Sequence, residues 1–329
     1  MSSTVVADAP PDASLAAADA AAARRLLAAG FARAGVRRGA VLLAHSSLSS
    51  FGRVAGGADT VIDALLDALG PDGALVVPTL SYLFVNAEAP AFDVRATPTN
   101  LGAIPAAALR RANAAAAAGA TAAPGGGGGG GGSAVGVFAR RSLHPTHSCV
   151  ALSASASAAE AVVGMHGEDR TPVGARSPFA RVRELGGQVA FLGCGARCNT
   201  SIHGVEEMLA AEPAYLLRPG EVEYVVTDAA GQSEAVRHRR HNFAGTAQRY
   251  ERVAEALRAR GAGGGLSEGR VLAAECVVME APEMWAAAKA MLEAEPGCLT
   301  ETTPAGSEEN HHLVSGSEQG TFRYRVGPK

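Results

Sequence analysis

Apolar and polar positions along the chain alternate between two periods, one suited to buried strands and one to amphipathic helices. "GAVLLAHSSL" is a continuous apolar run that empties into small hydroxyl residues, and it predicts a buried strand over Ala40–His45. In "GGADTVIDALLDALGPDG" the spacing becomes helical. Val61, Ile62, Leu65, Leu66 and Leu69 make one face, Asp59 sits near the start, and Gly70-Pro71 ends the helix. "ALVVPTLSY" then predicts a second strand over Ala74–Leu80. Strand, turn, helix, strand is a βαβ unit, which implies parallel pairing with a right-handed crossover.

The same patterning extends both ways. An Ala-rich helix is predicted from Ser14, its N-cap, to Gly35, its stop, and another follows Thr99 in "TPTNLGAIPAAALRRA". A strand is predicted around Cys149–Ser153, helices over Ala156–His166 and "FARVRELG", and a strand in "QVAFLGCG". "EYVVTDAAGQSEAVRHRR" reads as a β-hairpin turning at "DAAGQ". After it come a helix, "GTAQRYERVAEALRARG", one short strand, "GRVLAAECVVM", and a last helix, "APEMWAAAKAMLEAEP". The expected fold is α/β: a mixed, largely parallel sheet flanked by helices in a layered sandwich, with a hairpin in the C-terminal half. Residues 14–299 form the expected domain. Residues 1–13 and the polar tail 300–329 read as loose, and Asn113–Gly136, with eight consecutive glycines, as a low-complexity insertion.

Composition narrows the class. The 329 residues are 47% hydrophobic and 19% charged, the balance of a soluble globular chain, with a net charge of -3 that lacks the basic surplus of a nucleic-acid binder. No membrane span is legible and the N-terminus lacks the pattern of a secretory signal, so a cytosolic location is expected. Five scattered cysteines fit a reducing compartment. Cys194 and Cys198 in "CGARC" could be half a metal site, but no second pair has matching spacing, and small buried hydrophobes are the plainer reading.

Four stretches carry candidate chemistry. "AHSSLSSFGRVAGG" joins a strand to a helix through hydroxyls and glycines, which suits an anion or is simply a Ser-rich turn. It has neither the Gly-Lys-Ser/Thr of a P-loop nor GxGxxG. "RRSLHPTHS" is a positive, hydrogen-bonding loop or a solvated basic one, and "TPVGARSPF" is a helix start with Ser177 as N-cap. "NTSIHGVEEM" places His203 and Glu206 on one helical face, as a base with its orienting carboxylate or as a surface pair.

Taken in order, these stretches resemble the aminoglycoside 3-N-acetyltransferases and related antibiotic N-acetyltransferases, over roughly residues 26–115 and 136–290. The resemblance implies an acyl-CoA-dependent N-acyltransferase, with acetyl-CoA as donor, no metal, and the 3-N amine of an aminoglycoside as acceptor. By the same resemblance His45, Ser46, Ser47, Leu48, Ser49 and Gly52 lie against CoA, with Arg141 and Ser142 from the second loop. His203 maps to the base and Glu206 to its acid partner, while His144 takes the His-Pro position of the family loop. Asp93, Glu206 and Glu207 are candidates for acidic walls facing a cationic amine, with Asp93, His144 and Glu207 taken as substrate-binding. Direct transfer is expected: the base takes the ammonium proton before attack on the thioester, and the Ser46–Ser49 turn supplies donors to the oxyanion. The chain departs from many relatives at Ala106 and Asn242, where they carry acids. The rival expectations are another acyl-CoA or amine on the same scaffold, and a non-catalytic CoA-binding protein.

Overall fold

The structure is a computed structural model, and it describes residues 13–118, 137–209, 212–213, 215–242 and 245–302. Its strands in chain order are β1 (Val41–Ser46), β2 (Ala74–Pro78), β3 (Ala91–Asp93), β4 (Phe138–Arg141), β5 (Cys149–Ser153), β6 (Gln188–Leu192), β7 (Val222–Thr227), β8 (Ser233–His238), β9 (Thr246–Gln248), β10 (Leu266–Val271), β11 (Ala274–Glu280) and β12 (Thr300–Thr302). Seven of them form the main sheet in the order β10-β11-β6-β1-β2-β5-β4. β1 pairs in parallel with both β2 and β6, as the βαβ reading requires, and the pairings outside this centre are antiparallel. The sheet is therefore mixed, with its parallel part confined to three strands.

Helices cover both faces. Those of the first half are α1 (Ala13–Ala18), α2 (Ala20–Arg33), α3 (Gly57–Leu69) and α4 (Ala103–Ala117). The rest are α5 (Ala156–Val163), α6 (Pro178–Glu184), α7 (Ser201–Glu207), α8 (Glu251–Ala259) and α9 (Ala281–Ala294). Alternate residues of the central strands face opposite ways. Leu42, Ala44, Leu75 and Val77 pack with α2, α3 and α4, whereas Leu43, Val76, Val189 and Phe191 pack with α5 to α9. Both faces being covered explains why β2, β5 and β6 are uninterrupted apolar runs.

Several boundaries differ from the sequence expectation. The first helix is interrupted at Asp19, whose carboxylate accepts from the Ala21 N–H at 2.8 Å and caps α2, so Ser14 is not its cap. The expected helix from Gly245 is shorter: Thr246–Gln248 is instead β9, paired antiparallel with Thr300–Thr302. That pairing also gives the start of the expected loose tail a place; the rest of the tail, residues 1–12 and most of the glycine insertion lie outside the described residues. "GRVLAAECVVM" is not one strand: it holds the end of β10, the turn and most of β11. Its turn puts Leu272 at φ 51°, where glycine or asparagine would be the usual signal. The predicted hairpin over 223–240 is present as β7–β8, but it joins β3 in a separate three-stranded sheet.

Candidate active site

The chain leaves β1 toward α3 on one face of the sheet and leaves β6 toward α7 on the other. A crevice opens at the carboxyl ends of two parallel strands whose connections diverge in this way. Here it is a cleft of about 850 Å³. Its walls come from the turn after β1, the start of α3, the segment from Gly193 to Thr200, His203 and Tyr250.

On the first wall, Ser47 N–H donates to the Leu192 carbonyl at 2.9 Å, and Ser50 Oγ donates to the Gly193 carbonyl at 2.7 Å. These bonds tie the turn after β1 to the end of β6. Ser47 and Ser49 hydroxyls lie 3.2 Å apart, and Gly52 closes the turn at φ 77°. His45, buried and stacked on Phe191 with ring centroids 5.2 Å apart, is pulled down to about 3 by desolvation and stays neutral. His45 Nε2 and Ser46 Oγ are buried without a protein partner. Gly57, which opens α3, lines the same cleft, with its own N–H donating to the Val54 carbonyl at 3.0 Å. Of the residues expected against a cofactor, His45, Ser46, Ser47, Leu48, Ser49 and Gly52 thus share one wall.

On the opposite wall stands the imidazole. α7 begins where Asn199 Oδ1 accepts from the Ser201 N–H, and one turn carries His203 and Glu206 side by side. The His203–Glu206 pair is buried, not superficial: the Glu206 side chain is wholly enclosed and that of His203 is 10% exposed. Glu206 Oε2 lies 3.2 Å from His203 Nδ1, Tyr250 Oη lies 2.7 Å from the same nitrogen and donates to Glu206 Oε2 at 2.9 Å, and Tyr215 Oη donates to Oε1 at 2.6 Å. With Tyr250 spending its proton on Glu206, its oxygen accepts from His203 Nδ1. That assigns the proton to Nδ1 and the basic lone pair to Nε2. Burial beside Glu206 pushes the Tyr250 phenol well up, so it remains a donor.

The other expected residues lie off this cleft. Arg141 lies away from the residues lining the cleft: its guanidinium sits over Phe92 at 4.7 Å and donates to Ser148 Oγ and the Thr97 carbonyl, and desolvation lowers it to about 10. It ties the small sheet to β4 and is not among the residues that line the cleft. Ser142, likewise expected there, is buried between His166 Nδ1 at 3.0 Å and the Cys149 N–H. His144 is fully enclosed, accepting the Thr146 and His147 N–H groups on Nδ1. Asp93 pairs with Arg95 on the small sheet. Glu207 points behind α7, taking the Val173 N–H and His241 Nε2 at 3.0 Å, and burial raises it to about 7. None of these five stands on the cleft wall, because each is drawn to partners elsewhere.

Tyr250 and Tyr215 were not legible as site residues: they lie 44 and 9 positions from Glu206, and no local period points to them. Cys194 and Cys198 pack partly against the core and are half-buried on the cleft wall, a position their spacing did not indicate. Gly204 has a structural reason to be glycine, since a Cβ there would stand 2.5 Å from Trp285 Cη2. Gly204→Ala is expected to destabilise the fold by about 1–3 kcal/mol, read as a lower urea midpoint with an unchanged slope.

Fold and cleft together define a three-layer α/β protein with a cofactor-sized crevice and a carboxylate-oriented imidazole facing a hydroxyl-rich turn. The sequence model described as aminoglycoside 3-N-acetyltransferase matches residues 43–121 and 138–293. The chain belongs to that family. Aminoglycoside N(3)-acetyltransferase IV of a Salmonella species is 33% identical over 184 residues, 54% of this chain and 56% of that protein. Aminoglycoside N(3)-acetyltransferase VII of Streptomyces paromomycinus is 31% identical over 205 residues, 57% of this chain and 61% of that protein. The matched region thus spans less than two thirds of those relatives. A mutant of aminoglycoside acetyltransferase AAC(3)-IVa in complex with apramycin superposes with a TM-score of 0.60 at 28% identity, covering 83% of this chain and 93% of that one. No described helix is long and apolar enough to cross a membrane.

Proposed function

We propose that the chain is an acetyl-CoA-dependent N-acetyltransferase that acylates an amine by direct transfer, with His203 as general base. The observation that carries this reading is that His203, held by Glu206 and Tyr250, shares one cleft with the Ser46–Ser50 turn. The residues fit the donor: His45 Nε2 and Ser46 Oγ, buried without a protein partner on the cleft wall, and the Ser47 and Ser49 hydroxyls are polar groups that the phosphates and pantetheine amides of CoA would engage. When bound, acetyl-CoA supplies the acyl group as a thioester. His203 Nε2 takes the proton that keeps an alkylammonium from attacking. Glu206 holds the ring in one tautomer and stabilises it once charged, and the turn hydroxyls and amides offer donors to the acyl oxygen.

A second observation bears on the acceptor. Among the described residues lining the cleft there is no carboxylate, and the permanent charge is that of Arg197. Ala106 and Asn242 stand where many relatives carry acids, and Asp93 and Glu207 are engaged elsewhere. Such walls favour an amine of low charge over a polycationic aminoglycoside acylated at its 3-N position. A thiol-release assay with acetyl-CoA, several aminoglycosides and simple monoamines, confirmed by product mass, tests both statements. Turnover at least about tenfold more efficient with monoamines is expected, the equivalent of roughly 1.4 kcal/mol. Turnover confined to aminoglycosides removes the low-charge reading, and CoA binding without turnover of any acceptor removes the enzyme.

Tyr250→Phe removes one donor from Glu206 and one acceptor from His203. It is expected to lower kcat about tenfold with little change in KM, since a buried group losing a partner costs about 1–3 kcal/mol. Steady-state kinetics over a pH series checks it, the pH midpoint of kcat moving with the base.

A further inference from the structure

We propose that Cys194 and Cys198 form a dithiol modification site on the cleft wall, converted to an intrachain disulfide by exchange with low-molecular-weight disulfides. The two sulfurs lie 3.0 Å apart, and both residues are half-buried on the wall of the cleft. A bond needs about 2.05 Å, so closure asks for roughly 1 Å of movement. The chain between them can supply it: Gly195 sits at φ 73°, with nothing within 4 Å of where a Cβ would point, followed by a single 3-10 turn over Ala196–Cys198. The thiols at Cys149 and Cys276, by contrast, are buried.

Their hydrogen bonding assigns the roles. The single S–H of Cys198 is shared between two acceptors, Cys194 Sγ and the Gly195 carbonyl, each 3.0 Å from its sulfur. The bond to Cys194, together with burial, raises Cys198, so Cys198 keeps its proton while the accepting sulfur of Cys194 attacks first. Attack on RS–SR forms a Cys194–SR bond and expels RS⁻. Cys198 then loses its proton, its sulfur attacks Cys194, and the second RS⁻ leaves. The protein gives up two electrons and two protons, and the disulfide is reduced to two thiols.

The position makes the exchange consequential. Cys194 follows Gly193, whose carbonyl holds Ser50, and Cys198 precedes Asn199, which starts the helix of His203. Closing the pair therefore strains the segment that joins both walls, and the mixed disulfide stands in the cleft itself. Formation of the bond does not depend on the acyl-transfer reading, and its readout requires no substrate.

Oxidised glutathione is the probe. The full chain is incubated with it, alkylated with iodoacetamide under native conditions and mapped by peptide mass. Cys194 and Cys198 are expected to be alkylated before oxidation. Afterward both should lose alkylation together and appear as one peptide lighter by two hydrogen atoms, reversed by dithiothreitol. Cys198→Ser should trap a stable glutathione adduct on Cys194, and Cys194→Ser should give little adduct on Cys198. Unchanged alkylation of both residues overturns the proposal, as does adduct formation to equal extent in the two variants, which marks two independent thiols.

Discussion

His203→Ala is expected to lower kcat by about a thousandfold, within the 10²–10⁴ range of a lost general base, while CoA binding stays within about threefold of the parent. The asymmetry follows from the geometry. The groups offered to the donor lie on the turn after β1, and His203 reaches the cleft from α7 on the other side of the sheet. Removing the imidazole leaves the hydroxyl-rich turn intact, tied to β6 through Ser47 and Ser50. It leaves Glu206 with its two tyrosine donors, so the buried carboxylate is not abandoned. Calorimetric titration with CoA and steady-state thiol release give the two numbers. Parallel loss of binding and turnover would mean that His203 supports the cleft without acting in it. No loss of either would mean that the cleft is not an acyltransferase site.

What could be read from the residues alone follows the range of the interactions involved. The β1–α3–β2 unit was legible because Val61, Ile62, Leu65 and Leu69 repeat within one helix and β1 and β2 are unbroken apolar runs. Residues three apart on one turn, His203 and Glu206, were legible as a pair for the same reason, but their burial was not. Burial depends on Tyr250 and on α9, which reach α7 from far along the chain. The β10–β11 hairpin was hidden by its turn, since Leu272 adopts a positive φ that only packing enforces. Arg141 illustrates the opposite case. A basic residue beside histidines looks like an anion-binding loop, and only the separate sheet of β3, β7 and β8, whose Phe92 covers the guanidinium, turns it into a structural tie. Chemistry that is local in sequence could be named in advance; chemistry assembled across the sheet could not.

Acidification is expected to unfold the protein steeply near pH 5, and the cause is a set of neutral histidines sealed inside. His144 lies against His166 and His238, with ring centroids 4.8 and 4.6 Å away, and His147 against His144 and His241. Desolvation is the first cause in each case, placing His45 and His166 at about 3, His238 at about 4, and His144 and His147 well below the usual range, the last two pushed further by their neighbours. The sign is that of lowered bases. Their stabilisation is complete above the ordinary value of about 6.5 and is lost as pH falls below it, because unfolding then takes up protons. His241 is outside the count, since its hydrogen-bonded partner Glu207 holds a proton in the fold and the pair carries as many as an unfolded imidazolium. Five histidines at about 1.4 kcal/mol each per pH unit cost about 7 kcal/mol by pH 5.5. Asp169, raised to about 6 by burial, offsets roughly 1 kcal/mol of that by protonating first in the fold. The remaining loss of about 6 kcal/mol is comparable with the whole stability of a typical domain, about 5–15 kcal/mol. The single tryptophan, Trp285, is buried against α7 and reports the transition by fluorescence between pH 8 and 4. Urea titrations at pH 7.5 and 5.5 give the stability difference directly. A native signal persisting to pH 4 would mean that these rings are not the sealed neutral bases their packing makes them.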